Sequence, residues 1–432
     1  MLRYLNQTDR LLLTLLLIAF VLRCAVVVVR RDNLSIDRDA YLAIAENMAA
    51  GNGFCSVVGQ PTAFRPPLYP LLLAACLSLG GTIAIAVVQI ALGTATVGLT
   101  WRLTRNAGLD RKIAFVAGLL AAVDPLLLEL TSQPMTETLF AFLTTGLLCS
   151  LTRPTSIQVE RPAATGVLFG LAALCRPSIW AFAGMWLGFV AIRLALSLFR
   201  KEPSASTVNW RGGLTVAVVA AAVVSPWALR NWSVFGRPIL MTTHGGYTLA
   251  LGNNEFFDAD VVSGRERVWS GDSLQKWQQE SERRIAESGI AKRDELAHDA
   301  ALSRQAVEWI KANPRRFAAA CRLRVNRFWA VQPQRQEAGG ENLSFVIGLW
   351  YAAVILAALG GLLRHRTSLT PLTAGLLLAL SLTALRSVYW SNMRMRSPLV
   401  PVVSVFAASA FLAKVARSNS VGEKDDGTSK LI

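Results

Sequence analysis

Charge is scarce in this chain. Only 17% of its 432 residues are Asp, Glu, Lys or Arg, where soluble domains carry about 25%. Hydrophobic residues make up 53%, and mean hydropathy is +0.40. One soluble core cannot absorb that much apolar sequence, which argues against a purely cytosolic enzyme. The same figures exclude a disordered chain, a collagen and a small disulfide scaffold. Histidine is rarer still, at His244, His298 and His365 only. The six cysteines include no CxxC pair, so a Cys/His zinc site has no support. Heptads, 20–50-residue repeats and clean runs of alternating strands are also lacking.

What is present is a series of apolar stretches at 11–29, 82–101, 113–128, 137–151, 163–174, 180–198, 214–229, 345–363, 369–385 and 399–414. Runs of about 18 or more apolar residues read as membrane helices. Several of these are shorter and must extend past the quoted limits, giving about ten spans. The first is not followed by a small-residue cleavage site; Arg30-Arg31 comes instead, so it is expected to stay as a span. Arg23 within it is expected to snorkel outward rather than bind an anion.

Basic residues set the orientation. With a cytoplasmic N-terminus, the inner segments 1–10, 102–112, 153–161, 193–211, 364–367 and 414–432 hold 18 Lys/Arg against 7 acids. This is the positive-inside pattern, and an even number of spans returns the C-terminus to the cytoplasm. Residues 254–342 are nearly balanced, with 15 Lys/Arg and 14 acids. The net charge of +16 is therefore mainly a topology signal, not a nucleic-acid footprint.

The expected organisation is a first span (1–29), a first outer loop (30–66), a transmembrane core (67–230), an outer domain (231–342), C-terminal spans (343–415) and a polar tail (416–432). The outer domain reads as helical at 273–287 and 294–312, with a break at Asn313-Pro314. Residues 315–329 mix arginines with Phe317, Leu323 and Phe328, which suits a helix at the membrane interface.

Carboxylates beside a membrane are costly to desolvate and are candidate functional groups. In the first outer loop Asp37 and Asp39 precede a short amphipathic helix over 40–49. Either could cap that helix, or serve as a general base at the water–lipid boundary. Glu137 lies near the second outer loop.

Ordered motifs along nearly the whole chain carry a resemblance. They are Asp37-x-x-x-Tyr41, Ala45-Glu46-Asn47, Gly51-x-Gly53-Phe54 and Arg65-Pro66-Pro67-Leu68-Tyr69-Pro70. Pro134-Met135-Thr136-Glu137-Thr138, Cys175-Arg176-Pro177-Ser178 and Pro226-Trp227-x-x-Arg230-Asn231 follow. Gly236-Arg237-Pro238, Gly245-Gly246-Tyr247, Leu251-Gly252-Asn253-Asn254, Asn313-Pro314-x-x-Phe317 and Arg394-Met395-Arg396-Ser397-Pro398 complete the set. Each is weak alone; order and spacing are the signal. The chain resembles bacterial membrane glycosyltransferases of the protein-mannosyltransferase type. These belong to the C-type (GT-C) superfamily, with the lipid A aminoarabinose transferases.

The resemblance implies an all-α polytopic fold with a mainly α extracytoplasmic domain. It implies an enzyme of the bacterial cytoplasmic membrane whose active site faces the periplasm or exterior. The donor would be a hexose or pentose on a polyprenyl phosphate, and the acceptor a lipid, glycan or protein, with inversion at the anomeric carbon. The essential first-loop acid falls on Asp37, with Asp39 as the alternative, and the second-loop acid on Glu137. Arginines would neutralise the leaving phosphate: candidates are Arg394, Arg396, Arg65, Arg176, Arg230 and Arg327. Tyr41, Tyr247 and His244 would meet sugar or acceptor. Trp390 and Trp232 read more readily as membrane-interface belting. A Mg²⁺ or Mn²⁺ between Asp37 and Glu137 would need a third ligand that the sequence does not fix. The rivals are a transporter or flippase of a lipid-linked or polar solute, and a non-catalytic membrane assembly subunit. A transporter predicts acids inside the spans and two matching halves, whereas this chain places its acids in outer loops.

Overall fold

A computed structural model describes residues 7–152, 161–199, 210–264, 269, 271–291, 293–333, 340–365 and 372–411. The expected tail over 416–432 and most of the inner loop over 153–161 lie outside them.

The chain opens with α1 (Gln7–Val29), a 3₁₀ turn (Arg31–Ser35), α2 (Tyr41–Ala49) and a short antiparallel hairpin, β1 (Cys55–Val57) and β2 (Gln60–Pro61). Then come α3 (Leu68–Asn106), α4 (Arg111–Ala122), α5 (Pro125–Thr131), α6 (Thr136–Leu151), α7 (Pro162–Cys175), α8 (Ile179–Phe199) and α9 (Trp210–Phe235). Next are α10 (Gly245–Gly252), α11 (Glu255–Phe257), a π turn (Asp258–Ser263), α12 (Asp272–Glu287), α13 (Glu295–Ala312) and α14 (Pro314–Phe328). The last are α15 (Gly340–Arg364), α16 (Thr373–Val388), a 3₁₀ turn (Met393–Leu399) and α17 (Val400–Phe411).

The protein is an all-α polytopic membrane protein. Five described helices, α1, α3, α8, α9 and α15, are long and apolar enough to cross a bilayer alone. α4 and α5 form a sixth candidate as a pair bent by 54°, and α6, α7 and α16 are shorter apolar helices. The bend has a local cause. Asp124 caps α5 by accepting from Leu127 N at 2.9 Å, and Pro125 occupies the first helical position, so the expected run over 113–128 breaks there. α3 starts well before the expected limit at 82 and is kinked where Gly81 takes φ +60°. α9 runs through Arg230 and Asn231 to Phe235, past the expected domain boundary.

Small residues let the helices approach. A Cβ on Gly166 of α7 would sit 2.8 Å from Val216 O of α9, and one on Gly170 would sit 2.7 Å from Val223 Cβ. Arg23 corrects an expectation: it is fully buried instead of snorkelling. Gly93 of α3 leaves the space its side chain fills, it donates to Ala19 O at 3.1 Å, and Asp124 supplies an opposing charge.

The outer helices share their own core of Phe257, Val261, Trp269, Trp277, Ile285 and Leu302. They dock on the end of α16. Arg324 of α14, fully buried, donates to Ser387 O at 2.6 Å and also to Gly252 O. Asn253 donates to Val388 O at 2.9 Å. Carbonyls at a helix C-terminus lack partners within the helix; here the outer block supplies them and so fixes residues 386–390.

Candidate active site

The loop over residues 30–66 is stapled over one end of the helix bundle. Arg230 donates to Thr62 O at 2.8 Å and to Phe54 O at 3.1 Å. Glu295 of α13 accepts from Ala63 N at 2.8 Å and from the Thr62 hydroxyl. Ala40 takes φ +59°, a left-handed conformation that costs a non-glycine residue roughly 1–2 kcal/mol. That strain sits between Asp39 and Tyr41, both of which face a cavity of about 660 Å³.

The two first-loop acids have different surroundings. Asp37 is exposed, does not line the cavity, and accepts from Ala43 N at 2.8 Å across the start of α2. Asp39 lines the cavity and meets Arg394 Nη2 at 3.1 Å, with Arg65 Nη2 at 4.0 Å. Behind it, Glu137 is 1% exposed in the first turn of α6. Its Oε1 lies 3.1 Å from Arg176 Nη1 and 2.9 Å from Arg394 Nε. Arg394 therefore bridges the two acids. Its contact with Glu137 is one of charge rather than directed hydrogen bonding, since neither Glu137 Oε1 nor Arg394 Nε has a well-angled partner.

The expected arginines divide in the same way. Arg65, Arg176 and Arg394 line the cavity; Arg230, Arg327 and Arg396 do not. Arg230 is spent on the first-loop carbonyls. Arg327 is buried with its guanidinium over Phe257. Arg396 donates to Ala330 O at 2.6 Å and lies 4.4 Å over the Tyr351 ring, facing a separate void of about 20 Å³ beside Asp124.

The opposite wall is aromatic. His244 stacks on Tyr247 at 5.1 Å and meets the edge of Phe64 at 4.2 Å. Burial first, and then Arg65, hold the imidazole pKa well below the usual histidine value, so the ring is neutral at pH 7. Burial raises the Tyr41 pKa, so that phenol also stays protonated there. Trp390 corrects the belting expectation: it lines the cavity and packs on Phe257 at 5.6 Å. Trp232 is 58% exposed. Arg386 and Tyr389 also line the cavity, and no sequence motif marked them. Arg386 lies one position beyond the apolar run cut at 385, which hid it.

The cavity wall carries Arg38, Arg65, Arg176, Arg386 and Arg394 against Asp39, with Glu137 just behind. That excess of positive charge fits an anion. Both carboxylates face guanidinium groups. Among the described residues, no group of three His, Cys, Asp or Glu side chains is placed to hold a metal.

Helices in this order, around a cationic cavity, recur in solved structures of membrane proteins. The chain has the fold of the Archaeoglobus fulgidus oligosaccharyltransferase. One structure of that enzyme, tethered with an acceptor peptide containing the NVT sequon, matches with a TM-score of 0.52 at 16% identity, over 92% of this chain and 49% of that one. Another, of AglB with an inhibitory peptide and a dolichol-phosphate, gives 0.50 at 17% identity, over 92% and 50%. The chain thus spans about half the length of these structures. ArnT from Cupriavidus metallidurans bound to undecaprenyl phosphate gives 0.40 at 13% identity, over 94% and 78%. No family model and no curated protein sequence matches the chain.

Proposed function

We propose that this protein is a membrane glycosyltransferase that moves a sugar from a polyprenyl-phosphate donor to an acceptor outside the cytoplasmic membrane. The observation that carries this reading is the facing of Asp39 against the guanidinium groups of Arg65, Arg176 and Arg394 in one cavity. The distribution of Lys and Arg among the loops supports an exterior position for that cavity.

In the proposed reaction the bond between the anomeric carbon and the phosphate oxygen breaks. The acceptor oxygen or nitrogen bonds to that carbon from the opposite side, with inversion. Arg176 and Arg394 neutralise the departing phosphate through charge-assisted bonds. Asp39 takes the acceptor proton, a contribution worth about 10²–10⁴-fold. Arg394 also touches Asp39, so its movement onto the phosphate frees the base as the donor arrives. Tyr247 and Trp390 offer ring faces to the sugar. Asp37 is assigned to capping α2, and Glu137 to holding Arg176 and Arg394. No step needs a metal.

Mass spectrometry of envelope glycolipids and glycoproteins tests this in cells lacking the chain. The expected result is an acceptor missing one sugar, restored by the wild-type chain but not by Asp39→Asn. An unchanged set of glycans, or full restoration by Asp39→Asn, contradicts the proposal.

A further inference from the structure

Arg386 stands apart from the other cavity arginines. Arg176 and Arg394 each face Glu137, and Arg65 approaches Asp39. Among the described residues Arg386 forms no ion pair with a carboxylate; its hydrogen bond is to Trp390 O, at 3.3 Å. A guanidinium has five N–H donors in a fixed fork, so most of those on Arg386 are left to face the cavity it lines. Its charged neighbours make this costly. Arg176 and Arg394 repel it, and Glu137, the acid that attracts it, already pairs with both of those arginines. Placement in the last turn of α16 offsets some of the cost, since a helix C-terminus carries roughly half a negative charge. What remains is a positive charge with no carboxylate of its own among the described residues, held rigidly because Arg324 and Asn253 tie down Ser387 O and Val388 O.

We propose that Arg386 is the primary anchor for the donor's phosphate, with Arg176 and Arg394 completing the site from their positions on Glu137. This deepens the proposed transfer reaction and rests on it. Arg386 can give a bidentate fork to two phosphate oxygens without surrendering an existing ion pair. Arg394 must leave Asp39 to do the same.

The test is equilibrium binding of radiolabelled farnesyl phosphate to the purified full chain in detergent, with farnesol and inorganic phosphate as competitors. Wild type is expected to bind farnesyl phosphate at least tenfold more tightly than either competitor. Arg386→Gln should weaken that binding tenfold or more, and Arg386→Lys by less. Wild-type binding with an unaffected Arg386→Gln overturns the role of Arg386 and leaves the transfer reaction standing. Farnesol binding as well as farnesyl phosphate overturns both. Inorganic phosphate competing as well as the lipid would make this a free-phosphate site and overturn the donor assignment. If Arg386→Gln does not fold, phenylglyoxal labelling of the wild-type chain decides. Farnesyl phosphate should protect Arg386 from modification, and equal labelling with and without it overturns the proposal.

Discussion

Two clusters of acid, arginine and tyrosine lie in this protein, and they differ in what surrounds them. In one, Asp39 and Glu137 meet Arg65, Arg176 and Arg394 at a cavity of about 660 Å³. In the other, Asp124 accepts from the Tyr351 hydroxyl at 3.2 Å and from Leu127 N at 2.9 Å, while Arg396 lies over Tyr351 and donates to backbone carbonyls. That second cluster encloses a void of only about 20 Å³, no larger than a water needs. A buried charge inside a bundle is therefore not a site by itself. Where a backbone amide, a tyrosine hydroxyl and carbonyls engage the charged groups, those groups join helices; where guanidinium groups outnumber carboxylates and face open space, an anion is called for.

The comparison can be broken by substituting the acids in turn. Glu137→Ala should have the largest effect, because it takes the only carboxylate partner shown for Arg176 and leaves Arg394 with Asp39 alone. Loss of one partner of a buried pair costs about 3–5 kcal/mol, so thermal unfolding should fall sharply and transfer should be lost. Asp39→Asn comes next: transfer should drop about 10²–10⁴-fold with the unfolding midpoint nearly unchanged. Asp124→Asn should do the reverse. The amide keeps an acceptor for Leu127 N but no longer opposes the buried Arg23 charge, so stability should fall by about 1–3 kcal/mol, and transfer per folded molecule should persist. If Asp124→Asn abolished transfer without loss of stability, the two clusters would have to be assigned the other way.

His244 sharpens the comparison through pH. Its folded pKa lies below the ordinary value because of burial and Arg65. Between those two values the unfolded chain binds more protons, so stability rises with pH across that window and is lost as pH falls through about 6.5. His244→Gln should flatten the fall in unfolding midpoint between pH 7 and pH 5. An unchanged slope would contradict a buried neutral imidazole.

Much of the helical architecture was legible because apolar runs in a bilayer have few alternatives to helix. The exceptions are local. Pro66, Pro67 and Pro70 read as a lead-in, yet α3 starts at Leu68 and proline is tolerated in its first turn. Asp124-Pro125 reads as part of one span but caps a new helix. Arg394 and Arg396 look equivalent in Arg-Met-Arg, but they leave the irregular turn over Met393–Leu399 in different directions. One reaches Asp39 and the other Ala330 O. Likewise Asp37 and Asp39 are indistinguishable by spacing; the left-handed Ala40 and the position of Arg394 separate them. Arg230 was marked for phosphate by its motif, but its carbonyl partners come from residues about 170 positions away in sequence. Long-range geometry of that kind leaves no local pattern.

The most direct measurement is sugar transfer by Asp39→Asn beside Asp37→Asn, each normalised to the amount of folded chain in the membrane. A loss of about a hundredfold or more is expected for Asp39→Asn. Near-normal transfer is expected for Asp37→Asn, with little loss of stability because the amide oxygen still accepts from Ala43 N. An inactive Asp37→Asn beside an active Asp39→Asn would contradict the assignment of the base.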